Sequence, residues 1–314
     1  MQRLESFFVI RMEKRSLCVS CDARLTADSH IHGSLNDCVE PEALLRAWTS
    51  METRKFFPYF RCVACGTLNV RLYPSQSRLQ ELYSRMPGNM QALISVDNQA
   101  LNQRQYASII KDSFLQLPEL GIRVLELGSD RGIFLGQLNT LLPGGIERIA
   151  AIEPNQEVLP ELVTLLSQMG LPYKCFSELS EVRIDGKNDY DLIVGIHVFD
   201  HVFDLSDLIS SLKVIASRSA RIFFVVHNPQ SLLAVLMGRY WPPYSVQHPQ
   251  LFTVKGVKAL AAKHGLRLIS TGRTVNHFSL SMVVKYLFGM NLICLDSVSL
   301  RLPLGNRYYL LGMQ

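Results

Sequence analysis

Three stretches of this chain carry residue types at spacings that could do chemistry. The first is a pair of Cys-x-x-Cys turns, Cys18-Val-Ser-Cys21 and Cys62-Val-Ala-Cys65, on either side of a long insertion. Two such turns bring four thiolates into a tetrahedron, the geometry of a closed structural zinc site. Gly66, directly after the second pair, suits the tight turn such a knuckle needs. The alternative reading is buried or redox cysteines, but a redox pair expects a thioredoxin-like βαβ context that the flanking residues lack. His30, His32 and Cys38 in the insertion could substitute for a ligand. Four protein ligands leave no open position, so this metal would hold the fold and would not activate water.

The second stretch is Glu126-Leu-Gly128-Ser-Asp130-Arg-Gly132, a glycine-rich turn that lets backbone approach a ligand closely. Glu153 lies about 20 residues beyond its last glycine, where a carboxylate can accept both hydroxyls of a ribose. The third is His197-Val-Phe-Asp200-His201-Val-Phe-Asp204. Histidine titrates near neutral pH and suits a general base. His201 is the leading candidate, and its structural alternative is a cap on the helix DLSDLISSLKVIA that follows.

The elements that must position these residues are legible as periodic runs. IRVLEL before the glycine turn is an apolar run typical of a parallel strand buried on both faces, and IFLGQLNTLL after it is helical. ERIAAIEP is a second strand ending in Glu153, YKCF (173–176) a third, YDLIVGIH a fourth and ARIFFVVHN a fifth. RLISTGRTV and NRYYLLGM read as the last strands of a seven-stranded sheet whose final strand is antiparallel. Residues 97–117 form an amphipathic helix ahead of the first strand. In the N-terminal part, Leu44, Leu45 and Trp48 at helical spacing place a short helix in the insertion. A second helix starts near Pro74-Ser75 and stops at Pro87-Gly88, the expected boundary between regions.

The charges of the glycine turn select its ligand. A pyrophosphate would be repelled by Glu126 and Asp130, whereas the amino group and ribose of S-adenosylmethionine (SAM) would not. With ExGxDxG, Glu153 and the histidine loop together, residues 123–201 resemble the cofactor-binding half of class I SAM methyltransferases. That resemblance implies an α/β fold, a Rossmann-like seven-stranded SAM methyltransferase sheet with an N-terminal zinc-ribbon-like region. It implies SAM bound by Glu126, Gly128, Asp130, Gly132, Glu153, Ser177, Glu178 and His197, with Ser177 and Glu178 in the loop that usually contacts adenine. It also implies catalytic roles for His201, His197 and His248, and a structural zinc ion on Cys18, Cys21, Cys62 and Cys65.

Trp241, Tyr244 and His248 follow the acceptor-side segment of the same family. They would either line a polar acceptor such as a sugar or, in the case of Trp241, pack the loop down. A four-cysteine region joined to such a domain resembles the bacterial methyltransferases of sugar and glycan pathways, over 120–265 well and 1–90 in outline. Their C-methylating members usually carry a further C-terminal domain and tend to read SNDG where this chain reads SDRG, with Arg131 before the glycine. The reading is therefore O- or N-methylation of a sugar, nucleotide sugar or glycan or natural-product precursor. The expected division is 1–90 zinc-binding region with helical insertion, 91–120 linker and cofactor-covering helix, and 121–314 methyltransferase domain.

Composition narrows the alternatives. The chain of 314 residues is 48% hydrophobic and 19% charged, a globular balance. Its net charge of +5 is spread thinly, with 12 basic and 9 acidic residues in 1–90 and 20 against 18 in 91–314. No Lys/Arg block stands out, which argues against an rRNA or tRNA methyltransferase and against nucleic acid as partner. A non-catalytic scaffold of the same fold is opposed by the intact ExGxDxG, Glu153 and His201. MQRLESFFVIRMEKR lacks the features of a secretory signal, and no uncharged run reaches the length of a membrane span, so a cytoplasmic chain is expected. Its seven cysteines then point to metal rather than to disulfides. The apolar stretch 278–295, with Lys285 inside it, reads as a lid, a homodimer contact or a membrane-surface helix.

Overall fold

The computed structural model describes residues 12–35, 41–49, 55–84, 96–114, 121–184, 189–281, 284, 298–303 and 305–314. In chain order its elements begin with β1 (Met12–Lys14), α1 (Pro41–Thr49), β2 (Tyr59–Arg61), β3 (Leu68–Val70), β4 (Leu72–Pro74), α2 (Gln76–Ser84) and α3 (Val96–Ser113). Next come β5 (Ile122–Leu127), α4 (Ile133–Leu141), β6 (Ile146–Ile152), α5 (Leu159–Gln168), β7 (Tyr173–Phe176), α6 (Leu179–Ile184) and β8 (Tyr190–Ile196). The chain continues through α7 (Leu205–Ile215), β9 (Ala216–His227), α8 (Leu232–Met237), β10 (Gln250–Leu251), α9 (Val254–Lys263) and β11 (Leu266–Arg273). It closes with β12 (Asn276–Ser279), β13 (Ser299–Leu302) and β14 (Asn306–Met313).

Seven strands form the central sheet in the order β11-β14-β9-β8-β5-β6-β7. Strands β5 to β9 pair in parallel, and β14 runs antiparallel to both β9 and β11. This is the expected α/β architecture, antiparallel strand included. The apolar runs explain it, because successive side chains point to opposite faces and both faces are covered. Val124, Leu192, Val194, Phe223 and Leu310 pack under α3, α4 and α5 with Tyr106, Ile110, Phe134 and Leu162. Leu125, Leu127, Ile193, Phe224 and Leu311 pack against α7 and α9 with Ile209, Leu212, Val257 and Leu260. Each large apolar side chain so buried contributes roughly 1.5–3 kcal/mol. A surface ion pair is worth about 0–1 kcal/mol, so these two layers decide the fold.

The chain returns from β7 to place β8 beside β5, so strand order reverses there and a crevice opens between their carboxyl ends. The glycine turn and the histidine loop both leave from that crevice.

The N-terminal part completes its core with residues from the segment after β9. Leu44, Trp48, Phe57, Tyr59 and Tyr73 cluster with Trp241, Tyr244, Val246 and Leu251. Strand β10 joins the edge of β3, with Gln250 opposite Asn69 and Leu251 opposite Leu68. The amide of Val70 also donates to Pro249 O at 2.8 Å. Gln250 Nε2 donates to Phe199 O at 2.8 Å and Val202 O at 2.6 Å, tying the shared sheet to the histidine loop. Arg15 stacks over the Phe203 ring at 4.0 Å and bonds Gln250 Oε1 at 3.1 Å. A Cβ on Gly256 would stand 2.0 Å from Thr67 Oγ1, so only glycine lets α9 sit this close to the second cysteine turn.

The Pro87-Gly88 boundary lies outside the described residues, as do Cys38 and most of 278–295, Lys285 included. Among the described residues no helix is long and apolar enough to cross a membrane.

Candidate active site

The glycine turn alternates its backbone. Gly128, Asp130 and Gly132 have φ of 66°, 46° and 76°, so Asp130 keeps the left-handed conformation that a glycine would ordinarily take. Amides of Gly128 and Ser129 donate to Ile152 O at 2.8 and 3.1 Å, strapping the turn to the end of β6. Glu153 follows directly. Its Oε2 accepts the Asp130 amide at 2.7 Å and its Oε1 the Asn155 amide at 2.8 Å. The carboxylate is thereby fixed, with lone pairs left on both oxygens.

Glu126 is 2% exposed and its Oε2 has no hydrogen-bond partner. Burial pushes the carboxyls of Glu126, Asp130 and Glu153 above their ordinary values, Glu126 furthest. Three partly desolvated carboxylates around one turn favour a cationic ligand. SAM carries an ammonium and a sulfonium, so these residues fit it and would repel a pyrophosphate. Ser177 and Glu178 are exposed at the start of α6, where the Ser177 amide donates to Glu181 Oε2 at 2.8 Å and Ser180 bonds Glu178 Oε1. They stand beside Glu153, whose amide donates to Phe176 O at 2.9 Å.

Across the crevice the structure gathers four histidines. His197 directly follows β8 with φ 54° and stacks on His227 at the end of β9, ring centroids 4.5 Å apart. Asn306 at the start of β14 links the two, Oδ1 to His227 Nδ1 at 2.7 Å and Nδ2 to His197 Nε2 at 3.3 Å. His248 meets His227 and His201 edge to face at 4.9 and 4.6 Å. Its Nδ1 donates to Pro243 O at 2.7 Å and lies 3.0 Å from Ser245 Oγ. His201 Nδ1 is 3.1 Å from the hydroxyl of Tyr83, a residue of α2 in the N-terminal part. His201 does not cap α7: Asp204 does, accepting the Asp207 amide at 3.0 Å.

Burial holds all four rings neutral, reinforced by neighbouring imidazoles at His197, His201 and His248 and opposed by the Asn306 bond at His227; His201 lies at about 3, His227 at about 4 and the other two well below the ordinary value. Beneath them Asp200 is fully buried and pushed up to about 7 by desolvation. The two halves of the crevice touch. A Cβ on Gly128 would meet Val198 Cγ2 of the histidine loop at 3.0 Å. Trp241 is 1% exposed and packs edge-on against His227 and Tyr244, so it holds the loop down.

The four cysteines converge as one centre, all Sγ atoms within 4.8 Å of one another. Cys18 to Cys65 is 3.6 Å and Cys21 to Cys62 is 3.5 Å. A tetrahedron with Zn–S bonds of ~2.3 Å has edges of ~3.8 Å, so the donor set fits zinc. Both knuckles share one wiring. Cys18 N bonds Ala23 O and Asp22 N bonds Cys18 O; Cys62 N bonds Thr67 O and Gly66 N bonds Cys62 O. The residue after each second cysteine is left-handed, Asp22 at 57° and Gly66 at 79°. The Cys18–Cys65 contact raises the Cys18 thiol and lowers Cys65 to about 5, one sulfur keeping the proton for both. His30 and His32 turn elsewhere, to Arg61 at 2.6 Å and Ser29 at 3.0 Å.

Three residues of this cluster carry no flag in the sequence, Tyr83, His227 and Asn306, while Asp200 is marked there only as a member of the histidine motif. His227 closes the fifth strand at its carboxyl end, where parallel sheets collect ligand-binding groups, and that position could have marked it. Asn306 opens the antiparallel strand, and nothing in its flanking residues announces a partner at His227.

Comparison with known proteins gives a family model, described as a methyltransferase domain, that matches residues 99–271. Among solved structures, the fold is similar to magnesium protoporphyrin IX methyltransferase from Synechocystis PCC 6803 with bound S-adenosylhomocysteine (SAH). That match has TM-score 0.50 and 11% identity and covers 76% of this chain and 100% of that one. The pyocyanin biosynthetic protein PhzM gives TM-score 0.45 and 10% identity over 67% of this chain. The match spans about half of PhzM, 54%. A SAM-dependent methyltransferase from Aquifex aeolicus gives TM-score 0.42 and 13% identity, covering 69% and 97%. No curated protein matches at a significant level.

Proposed function

The chain belongs to the methyltransferase-domain family, its fold is that of a SAM-dependent methyltransferase, and we propose that it methylates a small acceptor, a sugar, nucleotide sugar or other glycan or natural-product precursor, at oxygen or nitrogen. SAM supplies an already activated methyl group, so the protein has only to bind, orient and take a proton. Glu153 would hold the ribose and Glu126 with the turn of Gly128, Asp130 and Gly132 the cationic end, with Ser177 and Glu178 toward the adenine.

The observation that carries the reading is the polar cluster of His197, His201, His227, His248 and Asn306 facing the glycine turn across the crevice. Imidazole and carboxamide groups there suit an acceptor with several hydroxyls. His201, part-exposed and steadied by Tyr83, is the proposed base, with His197 and His248 lining the same face. The four cysteines hold a structural zinc ion that fixes the N-terminal part, and through β3 and β10 it fixes the loop carrying His248.

Calorimetry with SAH and single-turnover assays test this. His201→Ala should lower turnover about 100-fold or more while SAH affinity stays within about 3-fold. Unchanged turnover removes His201 as base, and absence of SAH binding to the native chain overturns the methyl-transfer reading.

A further inference from the structure

We propose that Asp200, His201 and His248 are the protein ligands of a second metal ion, a divalent transition metal with open coordination positions facing the acceptor side of the crevice. One nitrogen of each histidine and a carboxylate oxygen of Asp200 lie within 4.8 Å of one another. His248 Nε2 stands 4.0 Å from Asp200 Oδ2. Bonds of ~2.1 Å need the donors closer by about 1 Å, which requires the His248 and Asp200 side chains to draw together as well as the part-exposed His201 ring to turn.

Three further observations point to a cation. Each imidazole already spends its Nδ1 outside the cluster, His248 on Pro243 O and His201 on the Tyr83 hydroxyl. That is how metal-bound histidines are commonly oriented, leaving Nε2 for the ion. Asp200 is fully buried, yet its Oδ1 has no partner. A desolvated carboxylate oxygen left bare is costly, and a bound cation removes the cost. Among the described residues, the groups beside Asp200 that could carry positive charge are imidazoles, and no lysine or arginine pairs with it.

His197 and His227 also approach Asp200, but they are committed to each other through Asn306. With the amide as oriented, Asn306 donates to His197 Nε2, which leaves His197 Nδ1 protonated and unable to ligate. Two imidazoles and one carboxylate form a borderline donor set that selects zinc, iron, manganese or cobalt over magnesium and calcium. Three protein ligands leave positions open, whereas the four-cysteine centre is closed. The identity of the exogenous ligand, an acceptor oxygen, rests on the methyl-transfer reading; binding of the ion does not. With the ion present His201 is a ligand and a coordinated hydroxyl ionises at lower pH; without it His201 serves as base.

The test is cobalt titration of the metal-free full chain, followed by absorption spectroscopy and metal counting. Two equivalents are expected, one with an intense thiolate-to-cobalt band and one with only weak nitrogen and oxygen ligand-field bands. His248→Ala and, separately, Asp200→Asn should each weaken the second equivalent about 100-fold or more and leave the thiolate band, which also reports that the variant has folded. His201→Gln serves in place of a variant lacking that band. A single equivalent in the native chain, or a second one indifferent to all three changes, overturns the proposal. SAH calorimetry on the same samples keeps the readings apart, since loss of SAH binding with two equivalents intact would sink methyl transfer alone.

Discussion

The two walls of the crevice are built on different plans. The proposed cofactor wall is local: Glu126, the turn of Gly128 to Gly132, and Glu153 come from two adjacent parallel strands and their ends, and the turn bonds directly to Glu153 and to Glu126 O. The proposed acceptor wall draws Tyr83, His201, His227, His248 and Asn306 from five separate segments. A wall built from one βαβ unit needs only that unit to fold. A wall built from five segments needs the N-terminal part, β10 and β14 all in place. Its geometry should therefore be the more easily lost.

The largest expected effect tests the cofactor wall by itself. Gly128→Arg puts a side chain toward Val198, where even a Cβ stands at 3.0 Å, on a backbone with φ 66°. Filling the crevice should weaken SAH binding at least about 100-fold, measured by calorimetry, because glycine there admits the ligand to the backbone. The thiolate-to-cobalt band of the cysteine centre should not change. Retained SAH affinity would refute the cofactor assignment, and loss of the band would show that the walls are not independent.

The next effect tests the acceptor wall. Cys62→Ser, or removal of the proposed zinc ion by a chelator, disturbs the cysteine centre that anchors Thr253 Oγ1 to Cys65 O at 2.6 Å and steadies β3 beneath β10. Zinc binding in such sites is folding free energy. The N-terminal part should lose several kcal/mol in denaturant titrations, and turnover should fall about 10-fold or more as His248 and Tyr83 lose their supports. SAH affinity should stay within about 3-fold. Equal loss of both activities would erase the distinction between the walls.

The same contrast decides what could be read from the chain before its structure. IRVLEL, ERIAAI and YDLIVGI announce buried parallel strands because both faces of each are apolar, and the turn between the first two carries its own charge logic. Cys18 to Cys21 and Cys62 to Cys65 are likewise local, and their spacing suffices to suggest one centre. The two-residue β10 has no periodicity to detect, and its pairing with β3 spans some 180 residues of sequence. The lone histidine after FFVV gives no sign that Asn306 will bond it. His201 stood out by its position in a motif, but its partner Tyr83 belongs to a helix whose pattern shows only an apolar face. Long-range polar contacts leave no periodic trace.

The smallest effect sets the two walls against each other through pH. His227 is held at about 4 against an ordinary 6.5, so below pH 6.5 the unfolded chain takes up its proton before the folded chain does. Stability from such a group is full above pH 6.5 and is lost as pH falls toward 4. His197 acts in the same direction. Glu126, Asp130 and Glu153 act oppositely: burial raises them, the folded chain binds their protons first, and they add stability on acidification. His227→Gln should thus flatten the acid loss between pH 6.5 and 4 by on the order of 2 kcal/mol, after screening of a part-exposed ring. Glu126→Gln should steepen it by removing a compensating gain. Urea unfolding across that range measures both slopes. Parallel curves for the two variants and the native chain would mean that neither wall titrates as its burial requires, whereas a shallower curve for His227→Gln and a steeper one for Glu126→Gln would locate the acid sensitivity of this protein in its acceptor wall.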